Sequence, residues 1–154
     1  QRRHQPIPKR SRFVTTSPDH PAVVAVRNHV RFWNAMDRAS WVSLFASDVV
    51  FEDPVGSAPK LGIDAVHKSW DKSFAPGRRW TLHPQQIVGG GSEAAVVMRN
   101  EGDLSGRRVQ VDSIEIFRVD AAGLITHVRS FFDQPADNWR GCFRTSAKPA
   151  PTSL

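Results

Sequence analysis

Apolar positions along the chain repeat first with a helical period and later, past Pro76-Gly77, with an alternating one. Val23, Val26, Val30 and Trp33 fall three or four residues apart with Arg27, Arg31 and Asn34 between them, the stripe of an amphipathic helix. Ser17-Pro18-Asp19-His20-Pro21 supplies the cap and first-turn residues ahead of it. His29 lies beside Val26 and Val30 on the apolar face. A second short helix is expected from Arg38 to Ala46, with Trp41, Leu44 and Phe45 as its apolar set. A third follows Gly62 and Asp64, carries Ala65, Val66, Trp70 and Phe74, and is closed by Pro76-Gly77. Between these two, Val49-Val50-Phe51-Glu52-Asp53 is β-branched and aromatic and breaks at Pro54 and Gly56, which places Asp53 at a strand end.

Four extended segments complete the pattern: Arg79 to Val88, Ala94 to Glu101, Arg107 to Val119 and Leu124 to Phe132. Gly89-Gly90-Gly91, Asp103-Leu104-Ser105-Gly106 and Asp120-Ala121-Ala122-Gly123 separate them as turns. Three helices followed by a meander predict an α+β domain. Its curved antiparallel sheet is covered by the N-terminal helices and encloses a cone-shaped pocket.

Length and charge refine this picture. A chain of 154 residues with 40% hydrophobic content holds one domain with a core, expected over residues 17–140. The net charge of +6 suggests a nucleic-acid or membrane surface until it is located. Arg2, Arg3, Lys9, Arg10 and Arg12 precede every acidic residue, whereas residues 13–154 hold 16 basic and 15 acidic side chains. The excess therefore belongs to an N-terminal arm, residues 1–16, read as solvated and flexible. Neither nucleic-acid nor membrane binding is expected. Residues 141–154 read as a C-terminal tail. The single cysteine, Cys142, excludes an intrachain disulfide, and no apolar run reaches the roughly 20 residues of a membrane-spanning helix, so a cytoplasmic protein is expected.

The segment Glu52-Asp53-Pro54-Val55-Gly56-Ser57-Ala58-Pro59-Lys60-Leu61-Gly62 resembles the catalytic-base segment of bacterial ketosteroid isomerases, the steroid delta-isomerases. The similarity extends through Asn34-Ala35-Met36-Asp37 and Leu44-Phe45-Ala46-Ser47-Asp48, and resumes at Ile114-Glu115-Ile116-Phe117-Arg118 as far as Phe132. The resemblance implies the nuclear-transport-factor-2-like, polyketide-cyclase-like cone. It also implies Asp53 as general base, with neither cofactor nor metal. The family's oxyanion hole, a tyrosine on the first helix and a protonated aspartic acid on the meander, falls on His29 and Glu115. A supporting tyrosine falls on Trp70. The chain has no tyrosine at all.

The residue chemistry bears on each role. Asp53 has the turn-opening habit of any aspartate before proline, beside the role of a base. Glu52 alternates to the opposite side and reads as solvated. Val111, Ser113, Glu115, Phe117 and Val119 share one strand face, while Asp112, Ile114, Ile116 and Arg118 share the other, and alternation does not choose which faces the pocket. Facing inward, Glu115 donates a hydrogen bond as a neutral acid; facing outward, it pairs with an arginine. His29 is either a neutral donor to an enolate or a core histidine bonded to a backbone carbonyl. His67, His83 and His127 show no metal-ligand spacing.

Trp33, Trp70, Phe74, Phe117 and Phe132 are the expected aromatic contacts of a hydrophobic, steroid-like ligand. The resemblance implies a homodimer through the outer sheet face, with Ile114, Ile116 and Val128 as apolar contacts. The expected activity is isomerisation of a β,γ-unsaturated ketosteroid or similar enone through an enolate. The alternatives are a polyketide-cyclase-like or hydrolase-like enzyme on the same cone and a non-catalytic steroid-binding module.

Overall fold

The computed structural model describes residues 17–132. The basic arm, Cys142, the tail and the expected domain end at residue 140 lie outside the described residues. Helix α1 (Pro21–Asn34) starts with proline in its first turn, and its approach is a turn in which the His20 N–H donates to the Ser17 carbonyl at 3.1 Å. Ala22, Val23, Ala25, Val26, His29 and Trp33 form its buried face. Helix α2 (Arg38–Val42) is capped by Asp37, whose carboxylate accepts from the Ser40 N–H at 3.1 Å. It ends earlier than the sequence pattern suggests. Phe45 and Ala46 are both buried and already belong to strand β1 (Phe45–Glu52), so the apolar run Leu44-Phe45-Ala46 marks a strand start and not a helix end.

A two-residue strand β2 (Lys60–Leu61), absent from the sequence reading, leads into helix α3 (Gly62–Ser73). Strands β3 (Arg78–Gly90), β4 (Glu93–Leu104), β5 (Arg107–Val119) and β6 (Ile125–Phe131) form the meander. Ser105 and Gly106, with φ of 56° and 87°, make the two-residue β4–β5 turn, a conformation that the tight hairpin demands. The strand order is β2-β1-β6-β5-β4-β3. The meander is antiparallel, but β1 joins it in parallel alongside β6, which corrects the expectation of a wholly antiparallel sheet. Helix α3 returns the chain across the sheet between β1 and the meander, the crossover that a parallel neighbour requires.

The helices cover one face. Val49, Val96, Met98, Phe117 and Ile125 from the sheet meet Val23, Val26, Trp41 and Val66 from the helices, all essentially fully buried. Asn34 clamps the end of α1 to β3: its amide donates to the Leu82 carbonyl at 2.8 Å and accepts from the Leu82 N–H at 2.9 Å. The Trp33 indole N–H adds a bond to the Trp80 carbonyl at 3.0 Å. No helix among the described residues is long and apolar enough to cross a membrane.

Candidate active site

Strand alternation aims the first acid. In β1, Phe51 is buried while Glu52 turns outward to Arg129, Oε2 to Nε 2.7 Å, so the next residue, Asp53, points to the same side as Phe51. The turn that follows is held down. The Val55 N–H donates to the Ser130 carbonyl at 2.8 Å, the Ser57 N–H and hydroxyl both donate to the Pro54 carbonyl, and Lys60 Nζ donates to the Asp53 carbonyl at 3.2 Å. The Asp53–Pro54 peptide is cis, and Gly56 takes a φ of 93°.

On β5 the structure decides what alternation left open. Val111, Ser113, Glu115 and Phe117 line the interior cavity. The other face carries ion pairs between Arg99 and Asp112, 3.2 Å, and between Arg118 and Glu93, 3.0 Å. Opposite Val111, the Asn100 amide donates to the Val111 carbonyl at 3.1 Å and to Ser113 Oγ at 3.0 Å. Ser113 in turn donates its hydroxyl to Glu115 Oε1 at 2.9 Å. A directed chain, Asn100 to Ser113 to Glu115, thus fixes one carboxyl oxygen as acceptor and leaves the other for a proton.

The third polar group comes from α1. Trp41 Nε1 donates to His29 Nδ1 at 2.9 Å. That bond consumes the Nδ1 lone pair, so the neutral imidazole carries its proton on Nε2. The ring is buried and stacked at a tilt on Phe117, 5.1 Å between centroids, and desolvation brings its pKa down to about 4. His29 is therefore a neutral donor at any pH near neutrality.

These groups meet in one cavity of about 490 Å³, within the range of small-molecule sites. Its inner wall is His29, Trp33, Trp41, Phe51, Phe117 and Val128, with Trp80, Leu82 and Phe132 alongside. Burial pushes the Glu115 carboxyl up to about 7, the Ser113 hydrogen bond opposes the rise, and negative charge on Asp53 adds to it. Asp53 is also raised by desolvation, less freely, because Lys60 and Lys72 favour its charged form. Within the same cavity, burial thus favours the proton-bound form of Glu115, while Lys60 and Lys72 favour the charged form of Asp53 against its own desolvation.

Of the five aromatic residues expected to touch a ligand, Trp33, Phe117 and Phe132 line the cavity. Trp70 and Phe74 do not. They stack on one another with centroids 4.4 Å apart and back onto Trp33 at 5.4 and 4.9 Å, forming a second layer behind the wall. Helical spacing identifies an inward face but not its depth. Val128 is likewise corrected: it pairs with Phe117 in register and lines the cavity, whereas Ile114 and Phe131 are on the outer face. Sequence reasoning missed Trp41 as a ligand-facing group, together with Lys60, Lys72 and Arg78, which also line the cavity. Ser113 was signalled by its place on the Glu115 face. Among the described residues no group of three or more His, Cys, Asp or Glu side chains is placed to hold a metal.

The SnoaL-like domain family matches residues 26–128. Among solved structures, the Δ5-3-ketosteroid isomerase from Mycobacterium sp. is similar at 27% identity and a TM-score of 0.66, covering 74% of this chain and 94% of that one. A Mycobacterium tuberculosis protein in complex with estradiol-17β-hemisuccinate is similar at 27% identity and a TM-score of 0.67, covering 75% and 95%. An epoxide hydrolase/cyclase-like enzyme with a role in pyran ring formation in the polyether salinomycin is similar at 25% identity and a TM-score of 0.65, covering 71% and 88%.

Proposed function

We propose that this chain, which belongs to the SnoaL-like domain family, is a cofactor-independent isomerase that moves a carbon–carbon double bond into conjugation with a ketone on a hydrophobic, steroid-like substrate. The observation that carries this reading is the pairing, in one apolar cavity, of a carboxylate base with a carboxylic acid donor: Asp53 and Glu115. Asp53 takes the proton from the carbon between the carbonyl and the alkene. The C–H electron pair shifts to give a dienolate whose negative charge rests on the ketone oxygen. Glu115, protonated, and the His29 Nε2–H donate hydrogen bonds to that oxygen, where their effect is greatest because charge develops there in the transition state. Asp53 then returns the same proton to the γ-carbon, and the oxygen collapses to a conjugated carbonyl. No atom is gained or lost, so no cofactor is required.

The similar isomerase and the similar steroid complex support the substrate class. The test is the ultraviolet absorbance of a conjugated enone formed from a β,γ-unsaturated ketosteroid. Wild-type protein is expected to generate it, and Asp53→Asn to lose on the order of 100- to 10,000-fold in kcat, the usual contribution of a positioned proton carrier. A wild-type rate no greater than buffer would sink the isomerase reading. A second reading is favoured by the similar epoxide hydrolase/cyclase-like enzyme: the same base and acid driving ring formation. Asp53 keeps its role there, and Glu115 protonates an oxygen instead of bonding to an enolate.

We also propose that two copies of the chain pair through the outer sheet face. Val97, Ile114 and Phe131 are exposed there and flank a shallow groove with Val55. Sedimentation of Ile114→Lys against wild type tests this.

A further inference from the structure

By strand alternation the inward face of β4 reads Ala94, Val96, Met98, Asn100 and Gly102, so one amide stands where a buried sheet face calls for an apolar side chain. Both N–H groups of that amide are engaged within the wall, by the Val111 carbonyl at 3.1 Å and by Ser113 Oγ at 3.0 Å. A carbonyl can only accept, so nitrogen must be the atom facing Val111; turning the amide over would set two carbonyl oxygens against each other. The direction of Oδ1 is thereby fixed. Among the described residues none donates to it, and it is open to the cavity that Asn100 lines. Its surroundings are apolar. Leu82 and Val111 pair with Asn100 from either side, and the Trp80 ring lies against Gly102, the next inward position, where no side chain competes for the space. A ligand pressed over Oδ1 without a donor strips water from it and returns nothing.

We propose that Asn100 Oδ1 is a recognition point for a hydroxyl group of the substrate, so that the molecule held in this cavity is a hydroxylated ketone. This rests on the reading of the cavity as a steroid-like ketone site and narrows its substrate class. Asn100 Oδ1 is separated from Glu115 Oε1 by one amide group and two hydrogen bonds, 3.0 and 2.9 Å long, which sets the two oxygens at most about 8 Å apart. The hydroxyl therefore belongs on the part of the skeleton near the ketone that Glu115 binds. A site with a fixed acceptor in an apolar wall separates molecules that carry the matching donor from those that lack it.

The probes are androst-4-ene-3,17-dione, its 11β-hydroxy and 19-hydroxy derivatives, and the matching 11β-fluoro and 19-fluoro compounds, titrated against the full chain. Fluorine approximates the hydroxyl in size and donates nothing. All five carry the conjugated ketone that the proposed reaction forms, so binding needs no turnover. The readout is the fluorescence of the cavity tryptophans Trp33, Trp41 and Trp80. At least one hydroxyl compound is expected to bind about 10- to 100-fold more tightly than its fluoro counterpart, the scale of a hydrogen bond made against a buried acceptor left bare. The position that shows the preference identifies which hydroxyl reaches Oδ1. Asn100→Leu is expected to abolish the preference while the parent dione still binds, which reports a formed cavity. Should that variant lose the parent as well, the hydroxyl-to-fluoro ratio in the wild type decides alone. Equal binding of hydroxyl and fluoro compounds at both positions overturns the inference and leaves the ketone-site reading standing. Binding of none of the five overturns both. A preference that survives Asn100→Leu overturns the assignment to Asn100.

Discussion

Replacing Glu115 by glutamine removes the titration of the carboxyl group on which the proposed chemistry depends, and the consequence can be read from stability alone. In the folded chain this carboxyl is pushed from its ordinary 4.5 up to about 7. Between those two values the folded chain holds a proton that the unfolded chain has released, so stability falls as pH rises through that window. The contribution is intact below about pH 4.5 and lost by pH 8. A shift of this size, at about 1.4 kcal/mol per unit, amounts to about 3 kcal/mol. Contact with the open cavity makes that figure a ceiling. Glutamine cannot ionise, yet keeps an oxygen to accept the Ser113 hydroxyl. Its stability therefore lacks this decline. Urea unfolding followed by tryptophan fluorescence at pH 4.5, 6, 7 and 8 gives the difference between the two proteins, in which the acid-side loss due to His29 cancels. The variant is expected to gain on the wild type by up to about 3 kcal/mol across that range. A difference that stays flat to within about 0.5 kcal/mol, the ordinary additivity error, refutes the burial of a protonated Glu115.

The rate should follow a bell in pH: kcat/KM rises as Asp53 ionises, with a midpoint above the usual carboxylate value, and falls as Glu115 loses its proton near about 7. Ser113→Ala removes the hydrogen bond that favours the charged Glu115, so its alkaline limb should move to higher pH; an unmoved limb contradicts the assignment. His29→Phe should cost about 100- to 1000-fold in kcat as a lost oxyanion donor. Trp41→Phe should cost less, while ¹⁵N spectra of His29 change from a single Nε2–H tautomer to a mixture; an unchanged spectrum removes Trp41 as the positioning residue. Gly102→Ala should destabilise by roughly 1–3 kcal/mol, measured by urea unfolding, because the new Cβ would meet Val109 Cγ2 at 2.8 Å and Trp80 Cη2 and Cζ3 at 2.9 Å.

What the sequence disclosed was what local pattern can carry. The strand end at Asp53 was legible because β-branched residues stop at a Pro and a Gly, and the meander because its turns are rich in Gly and Asp. The side on which Glu115 stands was not, since both faces of β5 mix apolar and polar residues. It became clear only when register set Asp112 beside Arg99 and Arg118 beside Glu93 across β4 and β5. The parallel β1–β6 pairing joins residues more than 70 positions apart and leaves no local trace. Trp70 lies on the inward stripe of α3 and Phe74 just past its end, but depth behind Trp33 depends on how two helices cross. Lys60, Lys72 and Arg78 were missed because nothing in their spacing announces that three elements converge on one cavity.

The Asn34 clamp bears on how the sheet meets its surroundings. Strand β3 is the long outer margin of the sheet, and such a margin presents free main-chain groups on which another chain can extend the sheet. At Leu82 both groups that would be offered to an incoming strand are already taken by the amide of Asn34, which acts as a one-residue substitute for that strand. Two residues on, Pro84 lacks an N–H and the pairing with β4 shifts register before Gln86. The opposite margin is only the two residues of β2. Cutting the amide with Asn34→Leu would thus unlock a polymerisation seam as well as loosen a helix, leaving a sheet margin prone to add strands from neighbouring copies.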